Sequence, residues 1–211
     1  MPAIFTEQTT TPEVEMQMLH LRHRMRISKR SLTAETSSRG GDGLKMNWTT
    51  LHFPRKLETD VSAEKIRETL ATRKIKLLPE DAWEVPCLTW TPSLEKAIRK
   101  ANLQRRVRLG LEEIAAKLAA EKKGLEALER KTADSGRDRI SRLLLFTDDG
   151  AQRFYRNIAG TLTQHAPRLL GCMVMTQGPT LGRVITGKPR AVKVILIEHK
   201  DAVADILHSI L

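Results

Sequence analysis

Cysteine is scarce in this chain of 211 residues: Cys87 and Cys172 are its two thiols, far apart and outside any Cys-x-x-Cys pair. That excludes a disulfide framework and leaves no thiolate zinc site. No apolar run approaches the roughly 18 residues of a membrane span. The opening MPAIFTEQTT lacks both the positive start and the apolar stretch of an export signal. A soluble, cytoplasmic protein with no membrane partner is expected. His20 and His23 are spaced like helical metal ligands but have no third ligand near them, so neither a metal nor another cofactor is expected.

Positive charge, by contrast, is abundant. Lys and Arg number 36 against 25 acidic residues, a formal net charge of +11, which points to a polyanionic partner and first of all to nucleic acid.

Along the chain, residues 1–45 are rich in Thr, Ser, Glu, Arg and Gly and offer little apolar surface to offset the entropy of ordering. They are expected to be a disordered basic arm. Residues 46–106 read as a small mixed α/β unit. Trp48, Leu51 and Phe53 alternate as in a strand, and Ala63, Ile66 and Leu70 recur as in a helix that Asp60 or Ser62 would cap. Ile75 and Leu77 alternate again, Val85 to Trp90 is extended, and Thr91-Pro92 is a helix start. Residues 107–211 read as a three-layer α/β/α sandwich. Val107, Leu111, Ile114 and Leu118 recur at helical spacing, and the apolar runs at Ile140 to Phe146, Leu169 to Met175 and Ala191 to Ile197 predict three strands. Strands alternating with helices predict a mostly parallel sheet covered on both faces.

Lys96, Arg99, Lys100, Arg105, Arg106 and Arg108 form a dense cationic stretch whose self-repulsion an anion would relieve. The segment from Gly182 to Lys188 satisfies the first seven positions of a P-loop. Pro189 takes the eighth, where a Ser or Thr would ligate magnesium, and a strand rather than a helix follows, so nucleotide hydrolysis is not expected. Asp148 and Asp149 follow a strand where magnesium could be held, although a capped helix explains them more simply, with Asp149 as the cap. The segment from Thr176 to Arg183 offers the start of a short helix as an anion site, with Lys188 and Arg190 on the next turn.

The run TLGRVITGKPRAVKVILI, Thr180 to Ile197, resembles the last third of the kink-turn RNA-binding family of ribosomal proteins. A Leu-Gly pair opens a short helix, a basic glycine turn follows, and an apolar strand and a terminal helix close the sandwich. Ile140 to Ala166 fits the same family. In Lys122 to Lys131 the family's glycine and basic residues are kept, without its Asn. The resemblance implies RNA contacts by Gly124 and Lys131 and by the loop at Thr180, Leu181 and Gly182. Ala82 to Cys87 and Ser93 to Lys100 resemble the end of the YlxR nucleic-acid-binding family, which is sometimes joined to a kink-turn-type domain.

The expected function is non-enzymatic binding of structured RNA, ribosomal RNA included, with no small-molecule substrate. The phosphate contacts expected are Lys96, Arg99, Lys100, Arg105, Arg106, Lys122, Lys123, Gly124 and Lys131, and the loop contacts Thr180, Leu181, Gly182, Arg183, Lys188 and Arg190. Two alternatives stand beside it. One is a magnesium-dependent enzyme acting on phosphates through Asp148, Asp149 and Lys188, and the other a protein-interaction module built on a helix spanning 91–130.

Overall fold

The computed structural model describes residues 51–78, 84–129 and 139–211. The expected arm at 1–45, Trp48 and Lys131 lie outside them. The chain forms α1 (Arg55–Glu58), α2 (Ala63–Thr72), β1 (Lys74–Lys76), β2 (Glu84–Thr89), α3 (Pro92–Leu103), β3 (Val107–Leu109) and α4 (Leu111–Glu129). There follow β4 (Arg142–Thr147), α5 (Gln152–His165), β5 (Leu169–Met175), α6 (Gly178–Thr186), β6 (Val194–Ile197) and α7 (Lys200–His208).

Six strands join in one sheet in the order β1-β2-β5-β4-β6-β3. Side chains alternate across it, and helices cover both faces. Leu143, Leu145, Leu170, Cys172, Val174, Ile195 and Ile197 pack in one core cluster with apolar residues of α1, α2, α3, α6 and α7. The intervening residues turn to α4 and α5. Phe146 meets Tyr155 of α5 edge-on at 6.3 Å, and a Cβ on Gly171 would strike Leu162 of the same helix. Ile114 and Leu118 of α4 are buried as well. The α/β class and the two covered faces are as the sequence predicts.

The sheet is mixed rather than mostly parallel. β2 and β4 flank β5 in parallel, whereas β1 on β2, β6 on β4 and β3 on β6 are antiparallel. The cause lies after α6. Residues 188–193 double back beside that helix, with the Val192 N–H donating to the Gly178 carbonyl at 3.1 Å. The chain therefore re-enters the sheet at the same end of its strands where β5 finished, and β6 runs antiparallel to β4.

A second difference falls at residue 107. Helical spacing predicts a helix from Val107, but Val107, Arg108 and Leu109 pair with Ile197, Leu196 and Ile195 as an edge strand. Gly110 turns the chain with a φ of 83°, a left-handed conformation natural to glycine, and α4 begins only at Leu111. The helix expected over 91–130 is thus two helices with a strand between them. Across the expected boundary at 106/107, β2 pairs in parallel with β5.

Candidate nucleic-acid interface

The helix start at Thr91-Pro92 forms as its sequence dictates. The Thr91 hydroxyl accepts the Leu94 N–H at 3.1 Å, and Pro92 occupies a position where its missing N–H costs nothing. Leu94, Ile98 and Ala101 then face the core, which leaves Lys96, Arg99 and Lys100 exposed at spacings of three and one on the outer face. Arg99 pairs with Glu95 at 2.7 Å and Lys100 with Asp205 of α7 at 2.7 Å. Arg108, read as part of the same cationic stretch, is bound to Glu198 across the strand pair, which raises its pKa further. Arg105 is exposed and Arg106 half-buried.

The last turn of α3 is fastened to the last turn of α6. Asn102 Nδ2 donates to the Ile185 carbonyl at 2.8 Å, so residues 105–106 and 187–190 leave the fold from neighbouring helix ends. Arg183, Lys188 and Arg190 are exposed there. Among the described residues, no carboxylate lies within ion-pair distance of Lys96, Arg105, Arg106, Arg183, Lys188 or Arg190. Asn102 is not signalled by the sequence beyond being a polar side chain between two apolar helical positions.

Two of the loop residues serve the fold. Leu181 is 1% exposed and belongs to the core cluster. Gly182 is buried, because a Cβ there would stand 1.7 Å from the Arg190 carbonyl oxygen. This close approach lets residues 188–193 lie against α6 and so presents Arg190. Thr180 is exposed.

The start of α6, expected to take an external anion, already holds one. Asp149 Oδ2 accepts the Gly178 N–H at 3.1 Å, and Oδ1 accepts the Thr147 hydroxyl at 2.6 Å. Lys193 Nζ donates to the Asp149 carbonyl at 2.9 Å and ties in the following loop. Asp149 is therefore not the cap of α5, whose N-cap is Ala151, without a side-chain hydrogen bond. Its oxygens join the ends of β4 and α6. Among the described residues, no group of three or more His, Cys, Asp or Glu side chains is placed to hold a metal.

Lys122, Lys123 and Gly124 lie exposed on α4, in the layer on the other side of the sheet. The structure does not bring them together with α3 and α6. Lys122 alone of the three lines a cavity of about 300 Å³ between α4 and α5, together with Glu121, Arg142, His165 and Arg168 among others. Arg142 is bound there to Glu121 at 2.9 Å. Burial holds the His165 pKa below its ordinary value, Lys122 adds to this, and Glu121 opposes it. Cys87 and Cys172 are both buried. Burial first, and then Asp148, push the Cys87 thiol up to about 11, and burial raises Cys172 as well.

Fold and surface together define an α/β domain with helices on both sheet faces and a cationic face where α3 and α6 end. No protein-family model and no curated protein matches the chain. Solved structures similar to parts of it include the following two. A protein with unknown function from Bacillus halodurans C shows 14% identity over 55% of this chain and 98% of its own, with a TM-score of 0.38. The Giardia lamblia 15.5kD RNA binding protein shows 10% identity over 56% of this chain and 84% of its own, with a TM-score of 0.37. Among the described residues, no helix is long and apolar enough to cross a membrane.

Proposed function

We propose that this protein is a non-enzymatic RNA-binding module whose interface is the face formed by the ends of α3 and α6 and the turn at 187–190. One observation carries the reading: Lys96, Arg105, Arg106, Arg183, Lys188 and Arg190 have no carboxylate partner among the described residues, whereas Arg67, Arg108 and Arg142 are each paired. Like charges gathered without counter-charges repel one another, and a phosphate backbone relieves that repulsion while releasing its own counterions. The resemblance of Thr180 to Ile197 to the kink-turn family favours a structured RNA, ribosomal RNA included. In this reading Leu181 and Gly182 build the surface, and Arg183, Lys188 and Arg190 touch the RNA.

The test is a fluorescence-anisotropy titration of the full chain with a structured RNA over a range of salt concentrations. Affinity falls linearly with salt on logarithmic axes, and replacing Arg183, Lys188 and Arg190 by Ala lowers the slope by about one per cation removed. An affinity indifferent to salt, or none at low salt, sinks the proposal.

A further inference from the structure

The cavity of about 300 Å³ between α4 and α5 lies on the side of the sheet away from α3 and α6 and takes no part in the RNA face. Its volume stands at the lower end of small-molecule sites, roughly 300–1,000 Å³. Leu118, Leu125 and Leu169 give it an apolar floor, the first and last of them buried and Leu125 half-buried.

The charged groups around that floor are unevenly committed. Arg142 is engaged three times: Nε and Nη2 donate to Glu121 Oε1 at 3.3 and 2.9 Å, and Nη1 donates to the Ser141 carbonyl at 2.9 Å. Arg168 donates twice to the Ser141 hydroxyl, at 3.3 and 3.1 Å. The same Glu121 oxygen also meets Lys117 at 3.6 Å, so this carboxylate is shared between two cations. Lys122 differs from these. Among the described residues no carboxylate lies within ion-pair distance of it, Glu126 one turn further on α4 included. The group it acts on is the half-buried His165 imidazole at the end of α5, whose protonation burial and Lys122 both oppose. An ammonium and an imidazole that repel as cations thus border one apolar floor, with Glu121 already taken. An anion set between them turns that repulsion into attraction, and the leucines cover whatever carbon it carries.

We infer that this cavity binds a small organic anion, a carboxylate on a compact apolar body, with the carboxylate between Lys122 and His165 and the body on Leu118, Leu125 and Leu169. A phosphate of the RNA backbone would use Lys122 but has no use for the leucine floor. Binding here does not depend on the RNA face. It does depend on pH, because a carboxylate beside the imidazole favours its charged form, and proton and anion then strengthen one another's binding equally. Glu121, Lys122 and Glu126 of α4, Arg142 of β4 and Arg168 before β5 also border the cavity, and histidine is the side chain that ordinarily titrates near neutrality.

Benzoate is titrated into the full chain while the histidine ring resonances are followed by NMR. It is expected to shift the His165 signals saturably, to raise the His165 pKa by about one unit, and so to bind about tenfold more tightly below both pKa values than above them. Benzyl alcohol has the body without the charge and inorganic phosphate the charge without the body, and each binds at least about tenfold more weakly. Lys122→Gln weakens benzoate about tenfold, whereas Lys123→Gln removes the same charge from the next exposed residue and leaves benzoate binding unchanged. No saturable shift at His165, a His165 pKa that benzoate leaves in place, binding of benzyl alcohol or phosphate as tight as that of benzoate, or an equal loss in Lys123→Gln each overturns the inference and leaves RNA binding untouched.

Discussion

At Gly182 the absence of one carbon decides where Arg190 stands. A Cβ would lie 1.7 Å from the Arg190 carbonyl oxygen, and backbone, unlike the end of a flexible side chain, cannot step aside cheaply. Gly182→Ala is expected to lower stability by about 1–3 kcal/mol, as overpacking does, and to displace Arg190. A denaturant titration checks the first effect and RNA affinity the second, and a variant with wild-type stability would show that residues 188–193 do not depend on this contact. His165 governs a different response. Its folded-state pKa lies below that of the unfolded chain, about 6.5, because burial and Lys122 disfavour the imidazolium. The unfolded chain takes up this proton first as pH falls, so this stability is present above about pH 6.5 and is lost between there and the folded-state pKa. The stability difference between wild type and His165→Asn should therefore move against the wild type as pH falls through that window. Parallel pH profiles from unfolding curves would assign the acid sensitivity to other groups.

Each helix start carries its own signal, and the two that differ most are α3 and α5. Thr91-Pro92 was legible because cap and proline act within four residues of chain. At α5 the carboxylate expected to cap the helix is spent on Thr147 and Gly178, and Gly178 is 29 residues away from it, a partnership that no local pattern records. Ala151 consequently occupies an N-cap position in extended geometry with no side-chain acceptor. Ala151→Ser supplies one, and a gain of about 0.5–2 kcal/mol in unfolding free energy is expected. No gain would mean that this helix start is satisfied by other means. The strands β4 and β5 were equally legible, as unbroken apolar runs buried on both faces. β3 was not, because in Val107-Arg108-Leu109 a three-residue alternation overlaps an apolar spacing that α4 continues, and pairing with β6 decides between them. The antiparallel entry of β6 was hidden for a related reason: it follows from residues 188–193 packing on α6, which is a tertiary event.

Over the whole molecule, the net charge of +11 predicts an attraction to polyanions without saying which face exerts it. The cations read from the sequence as one interface divide in the structure between two sides of the sheet, with α3 and α6 on one and Lys122 and Lys123 on the other. Composition cannot make that distinction, since it counts charges and not their neighbours. Two charge reversals can. Replacing Arg183, Lys188 and Arg190 by Glu, or Lys65, Lys76 and Arg156 by Glu, alters the net charge by the same amount at exposed positions. The first set lies at α6 and its following turn. In the second, Lys65 and Lys76 sit on α2 and β1, and Arg156 on α5 across the sheet. If binding reflects the overall field, both triples weaken it alike and by an amount that salt screens away. If the α3 and α6 face makes the contacts, the first triple should lower RNA affinity at least about tenfold more than the second at physiological salt, with a larger loss of salt slope. Anisotropy titrations of the two triples in parallel decide the matter. Equal losses would return the interaction to net charge alone and would remove the α3 and α6 face as its site.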